Sequence, residues 1–154
     1  AFTVKLIIDN YPLKSIRDLE GGKPWDAQFF ELGGNSYSLN KIEHEILRPK
    51  FKDPRVHFAV NCASFSCPKI LNKAFNGDNL NNLLDQTAKD FINNDTKNTI
   101  SKKNIEISKI FEWYGDDFKA QGSIIDFLNK YAAVQISPSA TITYKAYNWE
   151  LNNK

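Results

Sequence analysis

The sequence predicts an α+β fold: one domain over residues 1–154, with helices packed on a small, mostly antiparallel sheet. Three observations carry that expectation. Helix-period and strand-period segments are interleaved irregularly, without the regular alternation that builds a doubly wound sheet. No internal repeat, low-complexity tract or linker divides the chain. At 154 residues, 42% hydrophobic and 13% aromatic, it is long enough to bury a core without disulfides or metal.

The elements follow in order. Residues 1–10, AFTVKLIIDN, put apolar groups on most of one helical face and stop before Tyr11-Pro12, where a helix ordinarily ends. The apolar piece LKSIRDL follows, and GGKPW is turn chemistry. FFEL, a glycine pair and NSYS read as a hairpin leading into a helix capped by Ser38. In that helix, LNKIEHEILR, the residues Leu39, Ile42, Ile46 and Leu47 share one side and Pro49 ends the pattern. Residues 56–61 read as a strand, with His57, Ala59 and Asn61 on one face and Val56, Phe58 and Val60 on the other, continued by Cys62. Pro68 suits the first position of another helix, with Ile70, Leu71, Ala74 and Phe75 at helical spacing. NGDN is a turn. Residues 79–92 form the strongest helical pattern, with Leu80, Leu83, Leu84, Thr87 and Phe91 on one side. TISKKNIEI reads as a hairpin that turns Ile100, Ile105 and Ile107 inward. Helices are expected over 108–114 and 123–132, and ATITYKAYNW closes the chain as a strand.

Charge and motif content narrow the function classes. The net charge is +2, from 20 basic and 18 acidic residues, and only Arg17, Arg48 and Arg55 carry guanidinium groups. Such a chain is not built to grip nucleic acid. No apolar run approaches the ~20 residues of a membrane-spanning helix, and no signal-peptide pattern is present. The glycine pairs at 21–22 and 33–34 are turn glycines, not phosphate cradles, so no cofactor is expected. Methionine is absent altogether, which is expected of a processed protein or a fragment. Two cysteines leave the compartment open, and the oligomeric state is open too.

Both histidines and both cysteines fall between residues 44 and 67. Glu43 lies within the apolar arc of its helix, where a carboxylate needs a partner, and His44 lies on the edge of that arc. Cys62 stands where the strand opens into the small residues Ala63 and Ser64. Cys67, just before Pro68, is placed to cap the next helix, whose positive end favours a thiolate. The plain alternative is a surface histidine, a backbone-capping glutamate and two inert buried thiols. The polar company of Asn61, Ser64 and Ser66 argues against it. On an extended strand His57 would lie about 16 Å from Cys62 at ~3.3 Å per residue. His44, from a separate helix, is therefore the expected partner of Cys62.

The stretches PWD (24–26), FFELGG (29–34), YSLNKIEHEILR (37–48), HFAVNCASFSCP (57–68) and EWYGDDF (112–118), taken in order, resemble the domain of unknown function family number 547. The resemblance runs through nearly the whole chain. The family pattern matches at Glu43, His44, His57 and Cys62, whereas Cys67 is less fixed. The family name states no activity, although some members are fused to glutaredoxin-like modules. A looser likeness to papain-like and transglutaminase-like cysteine hydrolases implies a thiol nucleophile and a papain-like assembly of helices and sheet. Members of the family usually carry an aromatic, asparagine-rich helix just before the position of Ala1. The chain is thus expected to lack an N-terminal helical part.

Four functional readings follow. The leading one is a cysteine-dependent hydrolase or acyl transferase acting on a peptide or small acyl substrate. Cys62 attacks the acyl carbon and His44 shuttles the proton. Glu43, Asn61, Asp116 or Asp117 orients an imidazole, with His57 the natural partner of Glu43, while amides after Cys62 and the Ser64 hydroxyl hold the oxyanion. The second is thiol–disulfide chemistry between Cys62 and Cys67, although C-x4-C is not the C-x-x-C spacing of thioredoxin-like motifs. The third is a zinc site of His44, His57, Cys62 and Cys67, at a spacing that matches no standard metal motif. The fourth is a non-catalytic peptide- or glycan-binding module using Trp25, Trp113, Tyr114 and Trp149. In EWYGDDF, Asp116 and Asp117 are most simply read as ending a helix.

Overall fold

A helix, α1 (Phe2–Asp9), opens the fold as its apolar pattern predicts, burying Leu6. Its end is held by the Asn10 side-chain amide, which donates to the Leu6 carbonyl at 2.8 Å. The computed structural model describes residues 1–152. It is α+β throughout and divides into two compact units, one of Ala1–Asp53, Val60–Cys67 and residues 148–152, the other of Pro54–Ala59 and Pro68–Tyr147.

In the first unit, LKSIRDL becomes a short 3-10 turn over Ile16–Asp18, with Ser15 and Asp18 forming a capping box around the fully buried Ile16. The predicted hairpin is present. β1 (Phe30–Leu32) pairs antiparallel with β2 (Asn35–Tyr37), Phe30 opposite Tyr37. Gly33 and Gly34 take φ of 57° and 77°, the left-handed pair that a two-residue hairpin loop requires. Phe30 anchors this unit, with the Phe2 ring stacked on it at 3.8 Å. Ser38 caps the following helix as expected, its hydroxyl accepting the Lys41 N–H at 3.0 Å.

That helix departs from the regular pattern. Lys41–Leu47 is π-helical, closed by an Arg48 N–H to Glu43 carbonyl bond five residues back, and none of its residues is fully buried. The apolar arc reckoned at 100° per residue therefore does not apply to Glu43 and His44. Pro49 does not end the helix either. The wide turn restarts the hydrogen-bond ladder, so α2 (Arg48–Phe51) begins afresh with proline in its first turn, where no N–H is needed. Lys52, at φ 51°, ends it in a left-handed cap.

In the second unit the expected strand at 56–61 is absent, and Pro54–Phe58 forms a 3-10 helix. The reason is steric and hydrophobic together. Pro54 presets a helical φ, and the adjacent residues His57 and Phe58 are both buried, at 2% and 1% exposure. A strand would send them to opposite faces. No helix follows Pro68 either; residues 68–76 are irregular. Ile70, on the expected apolar face, is instead 53% exposed. The Asn76 side chain accepts from the N–H groups of Asp78 and Asn79, forming the predicted NGDN turn. α3 (Leu80–Ile92) then forms as expected, burying Leu84, Thr87, Ala88, Phe91 and Ile92.

The sheet of this unit has the order β3-β4-β5. β3 (Thr99–Ile100) and β4 (Asn104–Ile107) are the predicted hairpin, with Ile105 and Ile107 buried. β5 (Thr141–Tyr144) runs parallel to β4. Between them lie α4 (Ile110–Trp113), α5 (Gly115–Lys119) and α6 (Ile124–Asn129). The core gathers Phe58, Phe91, Ile92, Ile107, Phe111, Phe118, Phe127 and Leu128.

Ser123 and Asp126 form a reciprocal capping box at the start of α6. Bonds from the Ser123 backbone N–H and then its hydroxyl hold the Asp126 carboxyl below the usual carboxylate range. Its folded form therefore binds fewer protons than the unfolded chain, so this contribution is present above about pH 4 and fades as pH falls through the lowered value. Ser123→Ala is expected to cost about 1 kcal/mol near neutrality. In denaturant titrations from pH 7 to pH 3, the gap between wild type and variant should narrow on the acid side.

Candidate functional site: the thiol loop

The loop 61–67 in the first unit folds on its own polar groups. The Asn61 side-chain oxygen accepts the Ala63 N–H at 2.7 Å, turning the chain through Ala63 at φ 60°. The Cys67 N–H returns to the Ser64 carbonyl at 3.1 Å. This double turn folds Cys67 back onto Cys62. Their sulfurs lie 2.8 Å apart, and the Cys62 backbone N–H points at the Cys67 sulfur, also at 2.8 Å. The Ser64 hydroxyl, on a fully buried residue, sits 3.2 Å from the Cys62 sulfur.

Both cysteines are thiols, Cys62 half-buried and Cys67 buried at 4% exposure. An N–H directed at sulfur stabilises negative charge there, and the Cys62 amide is so directed at Cys67. The donor is a backbone amide of the loop and not a helix end, because no helix follows Pro68. Cys62, next to the Ser64 hydroxyl, is the less buried residue of the pair.

The C-terminal segment straps this loop down. Phe65 N–H donates to the Glu150 carbonyl at 2.7 Å, Ser66 N–H to the Asn148 carbonyl at 3.2 Å, and Asn152 N–H to the Ala63 carbonyl at 3.1 Å. Asn148 N–H bonds the Ser66 hydroxyl at 2.9 Å. Nothing in ATITYKAYNWELNNK announces this role; it is a pairing between segments more than eighty residues apart.

The other expected site residues stand as follows. His44, exposed on the π-helical segment, has its Nδ1 2.9 Å from an Arg48 guanidinium nitrogen. Guanidinium only donates, so Nδ1 is the acceptor of that bond. Glu43 is half-buried on the same segment, with one carboxylate oxygen sealed from solvent.

His57 belongs to the second unit. Its Nε2 lies 2.7 Å from the Asp117 carboxylate, and the Tyr114 ring stacks on the imidazole at 3.9 Å. Asp116 and Asp117 do not end a helix: both lie in the first turn of α5. Asp117→Ala removes that acceptor from a ring that is 1% exposed and should cost about 1–3 kcal/mol, read from chemical denaturation. The binding-module aromatics divide. Trp25 and Trp149 pair at 5.5 Å in the first unit, whereas Trp113 packs on Tyr147 at 4.7 Å in the second. Among the described residues no group of three or more His, Cys, Asp or Glu side chains is placed to hold a metal ion, so the four-ligand zinc reading has no site.

The family model described as "Protein of unknown function, DUF547" matches residues 1–92. The chain belongs to the DUF547 family. The matched stretch of this DUF547 protein holds the thiol loop, His44 and His57, while EWYGDDF, with Asp117, lies beyond it. No curated protein matches the chain. No solved structure matches it either, so nothing there ties the DUF547 fold to papain-like hydrolases.

Proposed function

We propose that this DUF547 protein performs thiol–disulfide exchange, with Cys62 as the entering thiol and Cys67 as the resolving one. One observation carries the reading: the 2.8 Å contact between the two sulfurs, one on a half-buried residue and the other on a buried one. The Cys62 thiolate attacks a substrate disulfide, forming a mixed disulfide and releasing one substrate thiol. The Cys67 thiolate then attacks the Cys62 sulfur, forming the Cys62–Cys67 disulfide and releasing the second. The substrate gains two electrons and two protons, and the protein loses them. A small thiol or dithiol returns the pair to the reduced state.

Incubation with glutathione disulfide tests this. Both thiols should disappear from alkylation by iodoacetamide, and the protein should lose the mass of two hydrogens. Two thiols still alkylated under excess disulfide would end the proposal.

Acyl transfer by Cys62 is the second reading, favoured by the Ser64 hydroxyl beside the sulfur. It ranks below because its oxyanion donors are engaged. The amides of Cys62, Ala63, Phe65, Ser66 and Cys67 bond, respectively, a sulfur, the Asn61 side chain and three carbonyls. Such a hole needs donors aimed at the developing charge. The Nδ1 lone pair of His44 is likewise engaged by Arg48.

A further inference from the structure

Resting on the exchange reading, we infer that Trp149 is a positioning residue for the resolving step, acting through the C-terminal strap on the thiol loop. The strap is held from two sides. Toward the loop it makes the four bonds to residues 63–66 described above, and Ser64 bridges Leu151 as in an antiparallel ladder. On its other side the Leu151 N–H donates to the Lys14 carbonyl at 2.9 Å, and the Ser15 hydroxyl donates to the Trp149 carbonyl at 2.7 Å. The Trp149 ring locks that side, 5.5 Å from Trp25 and with the Arg17 guanidinium 5.3 Å from its centroid.

The consequence concerns one step only. Cys62 is the less buried of the two and supplies its own sulfur, so its attack on an incoming disulfide does not depend on where Cys67 sits. Resolution does. It needs the Cys67 sulfur held against Cys62, and loop residues 63–66, which join the two cysteines, take their position from the strap. Holding two reacting groups in place raises their effective concentration. A loosened strap lowers it.

The experiment measures both steps in the full chain with glutathione disulfide, by quenching and mass analysis. In Trp149→Ala, formation of the glutathione adduct on Cys62 should stay within about twofold of wild type. The lifetime of that adduct before the internal disulfide closes should lengthen about tenfold. Trp149→Phe, which keeps a ring against Trp25, should restore most of the rate; a general loss of folding would not separate the two steps. Ser66→Ala removes one strap bond without touching the aromatic cluster. It should slow closure about threefold, and it serves if Trp149→Ala does not fold. Closure at the wild-type rate in either folded variant overturns the positioning role while leaving the exchange reading intact. A wild-type protein that takes up glutathione and never closes Cys62 to Cys67 removes both.

Discussion

Phe58→Ala is expected to be the most destabilising single substitution in the second unit, at about 3–5 kcal/mol. The side chain is 1% exposed. Its ring meets four others, those of Phe91, Phe111, Phe118 and Phe127, at centroid distances of 5.2, 5.9, 5.8 and 6.2 Å. Those neighbours come from α3, α4, α5 and α6, so one ring ties four helices together. Alanine leaves a cavity that rings anchored on four separate elements cannot close. The loss is comparable to a large part of a domain's whole stability, about 5–15 kcal/mol. Urea titration checks it through the midpoint at unchanged slope. Phe58→Leu, which keeps most of the volume, should cost far less. A loss below about 1 kcal/mol for the alanine variant would mean that the ring does not fill this core.

Cys62→Ser is expected to lower disulfide exchange by roughly a hundredfold or more, because a hydroxyl at neutral pH is a far weaker nucleophile than a thiolate. Little stability should be lost, since sulfur and oxygen differ modestly in size and the site is half-buried. Cys67→Ser separates the two leading readings. Under thiol–disulfide exchange the first step survives, and the protein accumulates as a stable mixed disulfide with glutathione. Under acyl transfer Cys67 is dispensable, so Cys67→Ser should hydrolyse a simple activated ester as fast as wild type while Cys62→Ser does not. Ester turnover that depends on Cys62 and ignores Cys67, with no trapped adduct, would replace the first reading by the second.

Periodicity made much of this fold legible. α1, the β1–β2 hairpin, α3, the β3–β4 hairpin and the serine cap at 38 all rest on spacing within a few residues, where local physics decides. The failures are equally physical. Residues 56–61 alternate like a strand, yet His57 and Phe58 must both be buried, so the chain coils instead. Residues 68–76 space apolar groups like a helix, but no core receives that face: Ile70 is exposed and the segment stays irregular. The π turn at 41–47 leaves no mark in a pattern counted at 3.6 residues.

The candidate site divides along the same line. By itself the sequence determined that the chemistry-bearing residues cluster between 43 and 67, that Cys62 stands in a polar loop, and that the chain is α+β. Only the tertiary structure decided which partners they meet: Cys67 folded onto Cys62, Asp117 set against His57, Arg48 on His44, and a strap from residues 148–152 holding the thiol loop. Two of them, Asp117 on His57 and the strap on the loop, join segments distant along the chain, and the other two depend on the path of the backbone between near neighbours. Neither residue identity nor local spacing encodes which distant carbonyl an amide will find.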